Sequence, residues 1–304
     1  MTPQQDSPLL EQNGPAAEED EVPEAERGLS EKEQHEIQEA QRPRAPVVYE
    51  IIRLEGEREL RRPASSLWWS GVAAGISIGF SFLAQAALAA GLPQSEWGHA
   101  VASLGYSVGF IIVILGRQQL FTENVLTAVL PVITRWRLAW LLRMLRLWGV
   151  VLAANVVGCL LFACAFAYLP MLSAPVTAEM ARLVSDLMTN SPWEMFAKGI
   201  GAGWLIAAVV WIVASISSGE FFVIALLTSL IAIFRFTHIV AGTAEALYGW
   251  AAGLITFYDA SVRFFLPTLA GNVFGGTVLF SVLSYGQVRE EIFEEQELRR
   301  SPPK

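Results

Sequence analysis

Residues 97–134 and 219–257 are apolar runs too long for one membrane crossing, and each is broken at its centre by polar residues. The breaks read LGRQQLFTEN (115–124) and IFRFTHIVAG (233–242). A bilayer core takes about 20 mostly apolar residues per helix. A charge at its centre costs about 2.5–3.5 kcal/mol on insertion scales. Arg117, Glu123 and Arg235 therefore need an offset. Paired half-helices supply one, because unwound backbone at membrane depth is tolerated where it lines a cavity. The other apolar runs, 66–91, 137–170, 193–217 and 265–287, each fit one span.

These six spans form two sets of three, with the broken unit second in each set. Three is odd, so the halves sit in the membrane with opposite orientation, the signature of an inverted repeat. The expected fold is an all-α membrane protein of six transmembrane helices, with helices 2 and 5 broken. The breaks align on Phe-Thr-x-x-Val, at Phe121-Thr122 and Phe236-Thr237. The site is expected near the midplane, where the two breaks meet.

Charge divides the chain. Residues 1–60 hold 16 Asp/Glu against 6 Lys/Arg, whereas 61–288 hold 8 against 11. An acidic N-terminal segment, 1–62, thus precedes a slightly basic transmembrane domain, 63–288, and a tail, 289–304. Residues 1–28 have a disordered composition. Ser30 with Glu33 reads as a capping box for a short helix ending near 41. Apolar residues at 47, 48, 51, 52 and 54 make 47–62 an amphipathic helix at the membrane surface or the inner face. No signal peptide is expected, because the first 60 residues are polar and acidic without an apolar core. Arginines near helix ends favour a cytoplasmic N-terminus: Arg61, Arg62, Arg135, Arg137, Arg143 and Arg146 against Arg182, Arg263 and Lys198. Six spans then place the C-terminus on the same side. Trp68, Trp69, Trp97, Trp136 and Trp140 fall where interface anchors belong. Cys159 and Cys164 lie five apart on one helix and do not share a face, so they read as packing residues.

From GFIIVILGRQQLFTENVLTAV through LWGVVLAANVVG (147–158), AAVVWIV (207–213), RFTHIVAG (235–242) and GNVFGG (271–276), the chain resembles the formate/nitrite transporter family. The resemblance covers residues 65–287 and implies an aquaporin-like homopentamer in the bacterial inner membrane. It also implies a pore in each protomer for small monovalent weak-acid anions. By the same resemblance His238 matches the pore histidine and Thr122 the threonine of the broken second helix. Phe110 and Leu120 match the apolar constrictions, and Asn155 and Asn272 match asparagines of helices 3 and 6. The chain departs from the family at Thr237, Gly242, Gly203 and Leu187. Arg117 and Arg235 stand where glycine is usual.

The residues allow more than one role. His238 is a proton donor or electrostatic partner for an anion at the pore centre, its ordinary pKa lying near neutrality, or a hydrogen-bonded packing histidine in a helix break. Thr122 donates to the anion or to His238, or caps the following half-helix. Arg117 and Arg235 attract anions, snorkel, or satisfy carbonyls where the first half-helices end; on inverted repeats they face opposite sides. Glu123 favours the dipole of its half-helix, and Glu220 reads as a cap.

The expected function is a channel or transporter for formate, nitrite, acetate or a similar anion, linked to protons. The anion gains a proton from the site containing His238, or from water there, on entering a dry constriction. The partners are the solute, the lipid bilayer and four further copies of the chain, without nucleic acid, metal or other cofactor. The rivals are a neutral-solute pore of aquaporin type and a non-conducting regulatory or scaffold protein. No acidic metal cluster or nucleophile–base pair in the spans suggests an enzyme.

Overall fold

A computed structural model describes residues 43–300 together with Ser30 and Glu33, with the side chains of 43–291. Ser30 and Glu33 form the expected capping box: Glu33 N–H donates to Ser30 Oγ (3.3 Å) and Ser30 N–H to the Glu33 carboxylate (2.8 Å). The rest of that helix, and the disorder expected for 1–28, lie outside the described residues.

The body begins with α1 (Ala45–Glu59), the amphipathic helix expected over 47–62. The first repeat follows as α2 (Ala64–Ala89), α3 (Glu96–Leu115), α4 (Phe121–Thr134) and α5 (Leu138–Tyr168). Helix α6 (Ala174–Met188) leads to the second repeat: α7 (Pro192–Ser215), α8 (Glu220–Ile233), α9 (Ile239–Ala251) and α10 (259–300). Helices α2, α3, α5 and α7 and the Asp259–Glu291 part of α10 are long and apolar enough to cross a membrane, whereas α4 and α8 are shorter apolar helices. The two broken units are α3/α4 and α8/α9.

Three elements differ from the sequence reading. Residues 174–188, expected as loop, are helical. Pro175 stands at the helix start, and Arg182 bridges Glu179 (2.7 Å) and Asp186 (2.8 Å) at three- and four-residue spacing, which supports a short helix. The last span begins at Asp259 rather than 265, where Thr256 and Asp259 exchange capping hydrogen bonds of 3.0 and 3.1 Å. It runs on to Arg300 because its Glu- and Arg-rich end consists of good helix formers. Trp140, expected as an interface anchor, is buried, with the Arg61 and Arg143 guanidinia over its ring at 5.9 and 5.3 Å. Trp69 and Trp136 are exposed as anchors should be.

The repeats share one packing device. Helix α2 crosses α5 so closely that a Cβ on Gly75 would sit 2.2 Å from the Asn155 carbonyl oxygen. Helix α7 crosses α10 in the same way, a Cβ on Gly203 meeting the Asn272 carbonyl oxygen at 2.3 Å. Small residues at such crossings let backbones touch where lipid gives no hydrophobic drive to associate. Outward faces carry Leu142, Phe222, Leu226 and Leu283, the surface of a helix bundle facing lipid or a partner copy. Helix α1 is pinned to the end of α4 by Tyr49 Oη···Thr134 Oγ1 (2.7 Å) and by Glu57–Arg135 (3.3 Å).

Candidate functional site

Each break begins with the same cap. Arg117 and Arg235 both have φ of 52°, the left-handed region that few non-glycine residues enter. The Arg117 N–H donates to Ile114 O (3.1 Å) and the Gln118 N–H to Val113 O (2.9 Å). The Arg235 N–H donates to Ala232 O (3.0 Å) and the Phe236 N–H to Ile231 O (2.8 Å). This is the Schellman pattern, which satisfies the last carbonyls of α3 and α8. The arginine backbones thus close the half-helices, while their side chains face opposite cavities.

Asparagines hold the extended residues that follow. Asn155 Nδ2 donates to Gly71 O (2.8 Å) and Gln119 O (2.9 Å), and its Oδ1 accepts from Phe121 N–H (2.9 Å). Asn272 Nδ2 donates to Gly199 O (3.0 Å) and Thr237 O (2.9 Å), and its Oδ1 accepts from Ile239 N–H (2.9 Å). Both are buried and line neither cavity described below. These bonds correct the alignment of the breaks. Arg117 corresponds to Arg235, Gln119 to Thr237, Leu120 to His238, and Phe121 to Ile239. The shared Phe-Thr pair lies three positions out of structural register, because cap and stitch geometry, not the Phe-Thr letters, relate the halves.

The breaks meet at a closed centre. His238 ends the second break as N-cap of α9, its Nδ1 accepting from Ala241 N–H (3.2 Å). That lone pair is committed, so the proton of the neutral ring is on Nε2, which faces Thr122 Oγ1 at 2.8 Å. The Phe110 ring stands edge-on to the imidazole, centroids 4.9 Å apart. Phe110, Leu120, Thr122 and His238 are each no more than 1% exposed. The structure thus brings His238, Thr122 and Phe110 into contact, with Leu120 in the same buried cluster.

A cavity opens on either side of this centre. On the α1 side, about 320 Å³ is lined by Glu55, Glu59, Arg117, Gln118, Glu123 and Glu220. Arg117 is paired with Glu55 at 3.3 Å. Glu220, expected as a cap, makes no capping bond among the described residues; Gly219, at φ 86°, precedes α8 instead. On the α6 side, about 130 Å³ is lined by His99, Lys198, Arg235, Thr237, His238 and Glu245. Leu187, one of the positions where the chain departs from the resembled family, lines the same space, beside the cation of Lys198. Glu245 did not stand out in the sequence. Its signal was its spacing, seven residues after His238 and so on the same face of α9.

A sequence model of the family described as "Formate/nitrite transporter" matches residues 46–286. The chain is 43% identical over 249 residues, 82% of its length and 80% of the relative's, to the "Inner membrane protein YfdC" of Escherichia coli (strain K12). It is 25% identical over 237 residues to the "Uncharacterized transporter YrhG" of Bacillus subtilis (strain 168), covering 76% of this chain and 88% of that one. Among solved structures, a "Pentameric formate channel with formate bound" superposes with a TM-score of 0.64 at 20% identity, over 74% of this chain and 97% of the other. An "FNT family ion channel" does so with the same score and identity over 80% and 96%. At that identity the structural likeness speaks for the fold, which is the aquaporin-like one expected. The length of the family match and the 43% relative settle the lineage: this chain is a multi-pass membrane protein of the formate/nitrite transporter family.

Proposed function

We propose that each protomer conducts small monovalent weak-acid anions such as formate, nitrite or acetate, together with a proton, through the gap between the two breaks. One observation carries the reading: a buried centre, with the His238 Nε2–H and the Thr122 hydroxyl among its polar groups, separates two polar cavities. Apolar constrictions of this kind bar hydrated ions by dewetting. Arg235 and Lys198 draw the anion into the α6-side cavity. Desolvation at the constriction raises the solute's pKa, and the neutral acid, held by Nε2–H and hydroxyl, crosses where chloride or sodium does not.

The reading includes a homopentamer in an inner membrane, with α1 and both termini on the cytoplasmic side. Its support is the pentameric assembly named for one structural neighbour, the location named for one relative, and the arginine bias near helix ends. The test is a stopped-flow panel of formate, nitrite and acetate across pH in proteoliposomes, with His238→Asn as control. Saturable, pH-dependent flux that falls in the variant is expected. Water or glycerol permeation without anion flux would establish the neutral-solute pore. No flux of any solute would establish the non-conducting protein.

A further inference from the structure

The permeation path just described assigns no work to carboxylates, yet carboxylates stand on each side of the buried centre, and two of them lie next to or in line with its polar pair. Glu123 follows Thr122 directly in the first turn of α4 and lines the α1-side cavity. Its Oε1 is buried and has no hydrogen-bond partner among the described residues. Glu245 stands two turns beyond His238 on the same face of α9 and shares the α6-side cavity with it. A buried carboxylate oxygen without a partner, as on Glu123, is costly unless the group is protonated, and a protonated carboxyl beside the path is a proton source.

His238 is a poor source of that proton. Its Nδ1 lone pair is held by Ala241 N–H, and losing the Nε2 proton would leave an imidazolate. The anion still has to become neutral between the two cavities.

We propose that Glu123 and Glu245 are the proton-exchange residues of the conduction path, one for each side of the Thr122–His238 centre. On entering, the anion takes the proton of the carboxyl on that side: the carboxyl O–H bond breaks and the O–H bond of the neutral acid forms. On leaving, the acid returns its proton to the far carboxylate, whose own proton has first passed to water in that cavity: the acid's O–H bond breaks and the carboxyl O–H bond re-forms. Each carboxyl is reset by water in its own cavity, and nothing is oxidised or reduced. One anion and one proton move together.

The surroundings set the conditions for exchange. Glu55 and Glu59 of α1, Glu220 of α8, Arg62 and Arg117 face the cavity of Glu123. Asp186 of α6, Lys198 of α7, Arg235, His99 and Tyr106 face that of Glu245. Arg117 and Arg62 are engaged by Glu55 and Glu59, so Glu123 has no ion pair among the described residues.

The proposal rests on the weak-acid reading above and is tested on the full chain in proteoliposomes. Formate flux is measured for wild type, Glu123→Gln and Glu245→Gln, after subtraction of leak through protein-free vesicles. Near neutral pH each amide variant is expected to lose about a hundredfold in flux, the scale of a positioned proton donor. At about pH 5 the loss should shrink, because more formate arrives protonated. Glu123→Asp and Glu245→Asp should recover part of the neutral-pH flux. Wild-type flux with unaffected amide variants, or an equal loss at every pH, overturns the proposal and leaves weak-acid conduction standing. Absence of wild-type flux removes both.

Discussion

Asn155 and Asn272 make the same set of bonds in the two halves, and truncating them should cost the same. In Asn155→Ala the Gln119 carbonyl and the Phe121 N–H lose their side-chain partner in a buried break. The Gly71 carbonyl lies within α2 and keeps a helical acceptor role. Each backbone group orphaned away from water costs about 1–3 kcal/mol, so two cost about 2–6 kcal/mol. Asn272→Ala orphans the Thr237 carbonyl and the Ile239 N–H, with the same arithmetic. For a body of this size, that corresponds to a fall in melting temperature of about 5–20 °C. Thermal unfolding of the purified protein in detergent, followed by circular dichroism, reads it directly. A fall of under about 2 °C in either variant would show that water or local rearrangement satisfies the break. A large fall in one variant and none in the other would refute the equivalence of the two stitches.

Arg117→Gly and Arg235→Gly should each stabilise the fold, as relief of a left-handed non-glycine residue worth about 1–2 kcal/mol exceeds the extra chain entropy of glycine, about 0.5–1 kcal/mol. The lost Arg117–Glu55 pair subtracts little because the arginine side chain is 81% exposed. A rise in melting temperature is expected, and for Arg235→Gly a lower anion flux with it; a fall in melting temperature would show that the side chains hold the breaks. Gly75→Val and Gly203→Val place side chains against carbonyl oxygens 2.2 and 2.3 Å from their Cβ atoms and should prevent close crossing of α2 with α5 and of α7 with α10. Loss of the discrete size-exclusion peak is the expected result, and normal elution of either variant would count against the close-crossing account.

The six spans, the two broken units and the amphipathic α1 were legible in the chain because each follows from local apolar length and period. The relation between the breaks was harder to read. Phe121-Thr122 and Phe236-Thr237 look alike, yet Phe121 opens α4 while Phe236 closes the cap of α8. The true correspondence depends on backbone conformation and on asparagines of α5 and α10, remote in sequence from the breaks that they stitch. A Schellman cap is normally announced by glycine, and here arginine hides it twice. That concealment explains why the sequence left Arg117 and Arg235 open between attracting anions, snorkelling and satisfying the carbonyls of the half-helices. Their shared φ and matching hydrogen bonds make them equivalent points of the two repeats, with side chains on opposite cavities. Backbone strain retained at the same point in both halves needs a compensating use, and the use that the geometry leaves is charge at the mouths. The two are not equal there. Glu55 engages Arg117, while Arg235 has no ion pair among the described residues and shares its cavity with Lys198. On the proposed anion conduction, a solute would meet Arg235 and Lys198 beside Asp186 and Glu245 on the α6 side, and a largely acidic wall on the α1 side, so that the charge at the two mouths favours capture at the α6 side.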